Sequence, residues 1–290
     1  MIGGRGPVRS ARVVRYREER RDRVRDALAV EEPLEIRVSW RGGDGATRAE
    51  PLAVTMRTPG DDFDLVAGFL HGEGVVRTRD DLVEMTYCRG GEAQEYNVVE
   101  ARLASGTAFD PERLRRNFYA SSSCGVCGKA SLDSVEAIGC RPLEDDVRIS
   151  LPLLPELPAR LRARQDAFDR TGGLHAAGLF DAEGAALCVR EDVGRHNAVD
   201  KVLGATFLEG GLPARGRILV VSGRASFELV QKAVAAGVPV LVAVGAPSTL
   251  AVDLARRFGQ TLVGFARDGG CNVYVAEERV RPDASAGGGP

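Results

Sequence analysis

The chain of 290 residues is 44% hydrophobic, enough to bury a substantial core in one large or two modest domains. Its net charge of −2 supplies no field for drawing in nucleic acid, and no stretch approaches the run of about 18 apolar residues that a membrane helix needs. Six cysteines without a dense framework exclude a disulfide scaffold and fit a reducing compartment; with no apolar signal-peptide core at the N-terminus, the protein is expected to be cytoplasmic.

In chain order, the first 26 residues hold nine arginines against four acids, which predicts a solvated, frayed arm. "PLEIRVSW" and "EPLAVTMRT" alternate as strands do, joined through the turn-rich "RGGDGATRAE". "DDFDLVAGFLHGEG" predicts a helix, because Phe63, Leu65, Val66, Phe69 and Leu70 fall near a 3.6 period. "EYNVVEARL" follows as a strand, and Asp110 with Pro111 opens a short charged helix in the N-cap and N1 manner. Residues 1–117 thus form a basic arm and a small α+β domain.

Residues 118–290 have a different texture. "RILVVSG", "VPVLVAVG" and "QTLVGFA" are continuous β-branched apolar runs, as in strands covered on both faces. Between them lie two helical stretches, opened by Ser226 and Ser248 and closed by Gly237 and Gly259. This β-α-β-α-β order predicts right-handed crossovers and a largely parallel sheet, with ligands at the carboxyl ends of the strands, where "SGRAS" and "GAPST" lie.

Several segments carry candidate chemistry. In "SSSCGVCGKASLDS" the pair Cys124 and Cys127 precedes an expected helix marked by Leu132, Val135 and Ile138; a thiol at a helix N-terminus near Lys129 ionises readily. The same C-x-x-C spacing suits a redox pair, or half of a zinc site that would need two more ligands from among His175, His196, Cys188 and Cys271. Cys88, Cys140 and Cys188 stand alone and are expected to be inert. "TGGLHAAGLF" echoes the zinc deaminases, yet it lacks their glutamate and has its C-x-x-C before the histidine, so deaminase chemistry is excluded. "REDVGRHNAVDKVLG" offers Arg195, His196 and Asn197 as donors for an anion, and "SGRASFE" places Gly223 and Arg224 between a buried strand and a helix N-terminus. "GFARDGGCNVY" has the form of a hairpin with Arg267 at its turn. The basic residues are 36 arginines and three lysines, and Lys129, Lys201 and Lys232 all lie within these segments.

Together "MRTPGDDFDLVAGFLHGEG", "SSSCGVCGKAS", "TGGLHAAGL", "EDVGRHNAVDKVLG", "SGRASFELVQKAVAAGVPVLVAVGAPSTLAVDLA" and "QTLVGFARDGGCNVY" cover most of the chain from residue 51 to 274. In this order they resemble the FdhD family of formate dehydrogenase accessory sulfurtransferases. The resemblance implies a cytidine-deaminase-like α/β C-terminal domain beside the smaller N-terminal one. It implies that sulfur passes from a cysteine desulfurase, as a persulfide, to the molybdenum bis(molybdopterin guanine dinucleotide) cofactor destined for formate dehydrogenase. On matching positions Cys124 carries the persulfide and Cys127 assists. The family's cofactor-binding stretch falls on Phe265, Ala266, Arg267, Asp268, Gly269 and Gly270. Relatives often carry further basic residues there, so backbone contacts are expected in this chain. A homodimer is expected by family. The alternative is a zinc-stapled module that binds a nucleotide or a partner without catalysis.

Overall fold

The computed structural model describes residues 6–18, 20–88, 97–107, 109–111, 135–136 and 139–282. Cys124, Cys127 and Lys129, the expected domain boundary at residues 117 and 118, and the helix expected after Pro111 lie outside the described residues. No helix among the described residues is long and apolar enough to cross a membrane.

The arginine-rich arm is folded, which corrects the expectation of a frayed terminus. Strands β1 (Val8–Arg17) and β2 (Arg20–Ala29) form an antiparallel ribbon of ten residue pairs. The reason lies in the period-two placement of Ala11, Val13 and Arg15 on β1, with Val24 of β2 across from Val13; these four are partly buried while most of the arginines stay exposed. High charge hid a strand pattern.

Strands β3 (Glu32–Arg41) and β4 (Thr47–Arg57), helix α1 (Asp62–Gly72), and strands β5 (Leu82–Tyr87) and β6 (Val98–Leu103) make a four-stranded sheet of order β4-β3-β6-β5 with one helix packed on it. Leu34, Ile36 and Val38 from β3 meet Leu65, Val66 and Leu70 from α1, all buried.

After the short strand β7 (Ile149–Ser150) come helices α2 (Leu153–Arg162) and α3 (Asp166–Thr171) and strands β8 (His175–Phe180) and β9 (Ala186–Asp192). Helix α4 (Arg195–Leu208), strand β10 (Ile218–Val221), helix α5 (Phe227–Ala235), strand β11 (Val240–Ala243), helix α6 (Thr249–Phe258) and strand β12 (Thr261–Arg267) then alternate. Strand β13 (Gly270–Val275) turns back on β12, and β14 (Val280–Arg281) pairs with β7. Ser248 caps α6 by accepting from the Ala251 amide at 3.3 Å, and Gly259 closes it at φ 67°.

The six-stranded sheet has the order β13-β12-β11-β10-β8-β9. Only β10/β11 and β11/β12 pair in parallel; β10/β8, β8/β9 and β12/β13 are antiparallel. The expectation of a largely parallel sheet is therefore corrected to a mixed one. Hairpins need only a tight turn, and the turns at Asp181–Gly184 and Asp268–Gly269 add antiparallel strands on both flanks. The central strands are apolar throughout because both faces are covered. Leu219, Val221 and Leu241 point to α4, α5 and α6, whereas Ile218, Val220 and Val240 point to Leu154, Leu157 and Leu161 of α2.

Helices α1 and α4 join the two sheets. A Cβ on Gly68 would run into the Asp200 carbonyl, and one on Gly204 into that of Asp64, so the helices cross backbone to backbone.

Candidate functional site

Strands β9, β10 and β11 run in the same direction, and each is followed by a helix. The N-termini of α4, α5 and α6 therefore open on one edge of the sheet, where free amides and helix dipoles favour an anion. The loops at this edge interlock. The Gly245 amide donates to the Gly223 carbonyl at 3.0 Å, the Ser248 amide to Ala225 at 3.0 Å, and the Phe265 amide to Gly245 at 3.2 Å. At Gly245 a Cβ would sit 3.0 Å from the Arg224 side chain, which is why a small residue stands there.

His175, at the start of β8, joins this edge within 4 Å of the position a Gly223 Cβ would take, as does the Arg195 side chain. Its pKa lies below the ordinary histidine value because burial disfavours the cation, with Arg195 and His196 adding repulsion. The neutral imidazole is thus the form held beside the guanidinium. Arg195 Nε is buried with no hydrogen-bond partner among the described residues, a donor set for an acceptor from outside. His196 Nε2 lies 2.8 Å from the Glu228 carboxylate, and the hydrogen bond between them, against the effect of burial, lowers the Glu228 pKa.

A cavity of about 700 Å³ opens from this edge toward α2 and α3, lined by Gln165, Phe168, His175, Ser222, Arg267 and Asp268. A neighbouring groove of about 1050 Å³ reaches Asp268, Gly269, Gly270 and Cys271. The stretch singled out from the sequence is thereby divided. Arg267 and Asp268 face the cavity and Gly269 and Gly270 the groove, whereas Ala266 is buried in the core. Phe265 is 38% exposed and sits in a bulge at φ 53°, a left-handed backbone that costs an aromatic residue about 1–3 kcal/mol. Of these side chains, sequence reasoning missed Gln165 and Phe168, which come from an unremarkable proline-rich and charged stretch.

Much of "REDVGRHNAVDK" is structural. The buried Asp192 carboxylate accepts from Lys201 Nζ at 2.7 Å and from the amides of Thr58 at 3.1 Å and Gly194 at 2.9 Å. Glu191 receives the Ala167 and Phe168 amides at 2.8 Å each, and Arg190 pairs with Asp64 at 2.9 Å. Asn197 does not join a ligand donor set as expected, because α4 begins at Arg195 and turns it inward. There its amide donates to the Met56 carbonyl at 2.7 Å and to Asp192 at 3.0 Å. Lys232 binds both oxygens of Asp200, at 2.8 and 3.0 Å. Burial opposes the ammonium, yet Asp200 and Glu73 hold its pKa above the ordinary value; burial, with a smaller push from Glu228, raises the Asp200 carboxyl, and the short bidentate contact makes the charged pair the state we assign.

Cys140 is pushed up to about 11 by burial, and burial likewise raises Cys188 and Cys271, so these thiols are poor nucleophiles. Val135, just after the C-x-x-C segment, is fully buried in the core shared by α4, α5 and α6.

Comparison with known proteins agrees with this organisation. The family model described as FdhD/NarQ matches residues 29–281. A Streptomyces avermitilis protein named sulfur carrier protein FdhD is 52% identical over 283 residues, covering 96% of this chain and 97% of its own. A protein of the same name from Anaeromyxobacter dehalogenans is 49% identical, with 89% of each chain covered. Among solved structures, one from Desulfotalea psychrophila, assigned as a formate dehydrogenase accessory protein, superposes with a TM-score of 0.71 at 24% identity over 94% of this chain and 99% of its own, and so shares the fold. A match across most of the chain, with identities near one half, places this protein in the FdhD/NarQ family.

Proposed function

We propose that the chain is a sulfur carrier that serves the maturation of formate dehydrogenase, with a cytidine-deaminase-like C-terminal domain and a smaller N-terminal one. The Cys124 thiolate attacks the sulfane sulfur of a persulfide on a cysteine desulfurase. A new S–S bond forms on Cys124, the desulfurase thiolate leaves, and no net oxidation is required. In the onward transfer to the molybdenum bis(molybdopterin guanine dinucleotide) cofactor, which is the acceptor substrate, the S–S bond on Cys124 breaks and the outer sulfur leaves as sulfide; Cys127 assists by closing a disulfide with Cys124, a role that an external thiol can also fill, and this thiol oxidation supplies the two electrons.

One observation carries this reading: three helix N-termini open beside Arg195, Arg224, Arg267 and His175 at a single sheet edge with an adjoining cavity. Such an edge suits the pyrophosphates of a dinucleotide. The relatives' name supplies the sulfur chemistry. The chain's own residues would bind and orient the anionic acceptor through guanidinium groups and backbone amides.

The test is mass spectrometry of the full chain after incubation with a cysteine desulfurase and cysteine. The expected result is a gain of one sulfur atom on Cys124, lost in Cys124→Ala and largely kept in Cys127→Ala, with formate dehydrogenase activity in cells following the same order. No added sulfur on Cys124, or stoichiometric zinc that disappears with both cysteines, would overturn the reading in favour of the zinc-stapled module.

A further inference from the structure

The β1–β2 ribbon sorts its charges by face. Facing residue pairs Arg12 with Arg25, Val14 with Arg23 and Tyr16 with Arg21 all project to one side, and all six are exposed. The opposite side carries the acids: Asp22 stands across from Arg15, Asp26 across from Ala11, and Arg15 pairs with Asp26 at 3.8 Å. That side also holds Val13 and Val24, which are partly buried. The outward side therefore contains four arginines and no acid, and none of the four has an ion-pair partner among the described residues. Residues 1–29 hold nine arginines against four acids, so with −2 overall the rest of the chain carries −7. The ribbon is a basic arm on an acidic body, and most of it precedes the region that the family model matches.

We propose that this outward face is a docking surface for a partner protein that presents carboxylates at alternate positions of an extended segment. Arg21, Arg23 and Arg25 recur every second residue on β2, a spacing of about 6.8 Å, which is also the repeat of same-side carboxylates along an extended chain. Val14 and Tyr16, 42% and 68% exposed, lie beside this row and give the partner's backbone an apolar strip. A single-stranded nucleic acid would offer a comparable charge, but stacking needs a succession of aromatic rings and this face has only Tyr16. The acidic body also opposes a long polyanion. The other side holds four arginines too, Arg9, Arg15, Arg17 and Arg20, but shares them with Asp22 and Asp26; only the outward side presents arginines with no acid among them, which shielding of a sheet edge alone does not require.

The experiment compares two triple variants of the full chain with equal loss of charge: Arg21→Ser/Arg23→Ser/Arg25→Ser on the outward face, and Arg9→Ser/Arg17→Ser/Arg20→Ser on the other. Fluorescence anisotropy reads binding of a labelled peptide of alternating Glu and Thr, and of a labelled single-stranded oligonucleotide, with circular dichroism confirming that both variants are folded. The expected result is salt-sensitive peptide binding that weakens about tenfold or more in the outward variant, on the order of three exposed charge contacts, and by less than about threefold in the other. Equal weakening in both variants, no peptide binding by the unaltered chain, or tighter binding of the oligonucleotide lost with the outward arginines would each overturn the proposal.

Discussion

Gly68 of α1 lies directly against the backbone of Asp200 in α4, with no room between them for a methyl group. The reciprocal contact sets Gly204 of α4 on the Asp64 carbonyl of α1. These two crossings bring the four-stranded and six-stranded sheets together, and they place Asp64 within reach of Arg190 and Thr58 within reach of Asp192.

Gly204→Ala should therefore act as an overpacking mutation at a rigid backbone contact. The expected cost is about 3 kcal/mol, because neither neighbour is a side chain that can swing aside. Urea unfolding reads it as a lower midpoint at constant slope. Gly210→Ala is the control for a new methyl group that meets nothing, although its φ of 73° carries its own strain. A Gly204→Ala loss below about 0.5 kcal/mol would mean that the helices separate freely.

His71, in the last turn of α1, packs against Phe207 with ring centroids 5.4 Å apart, and its pKa is lowered to about 4 by burial and by the nearby Lys232. Below about pH 6.5 the unfolded chain takes up a proton that the folded chain refuses, so stability falls as the pH drops from 6.5 toward 4, and the contribution is complete above that window. The size is about 2–3 kcal/mol at most, since the ring is not wholly enclosed. Glu73, raised by burial, titrates with the opposite sign nearby. The informative quantity is thus the difference between the unaltered chain and His71→Leu. Thermal midpoints of the variant should change less between pH 7 and pH 4.5, and parallel curves would remove His71 from the account.

How much of this was legible in the sequence depends on which interactions set each feature. The buried strands β10, β11 and β12 are written in uninterrupted Val, Ile and Leu, and the serine and glycine punctuation of α5 and α6 is local chemistry, so both could be read directly. The edge at Gly223, Arg224 and Arg267 followed from that topology. The antiparallel flanks were harder to read because the β8–β9 turn has no distinctive dipeptide, and a β-α-β frame draws attention to its crossovers. Asn197 and Asp200 look like a polar surface in one dimension; only the glycine crossing with α1 makes them interior. The ribbon was hidden for the reverse reason, since its arginines outweigh Val13 and Val24 in any average of polarity.

If the open amides of α4, α5 and α6, with Arg224 and Arg267, form a cradle for a guanine dinucleotide, then GDP should protect the folded chain against heat. At a hundredfold excess over Kd the gain is about 2.7 kcal/mol. Because the contacts are charged and partly exposed, protection should shrink as salt rises. The double variant Arg224→Ala/Arg267→Ala should lose most of it, since both guanidinium groups are removed while the loop hydrogen bonds from Gly245 and Phe265 remain. Equal protection by ADP would leave an anion cradle without selectivity for the base, and would move the search for guanine recognition to Phe168 and Gln165 in the cavity wall. Protection that survives the double variant would place the nucleotide elsewhere on the molecule.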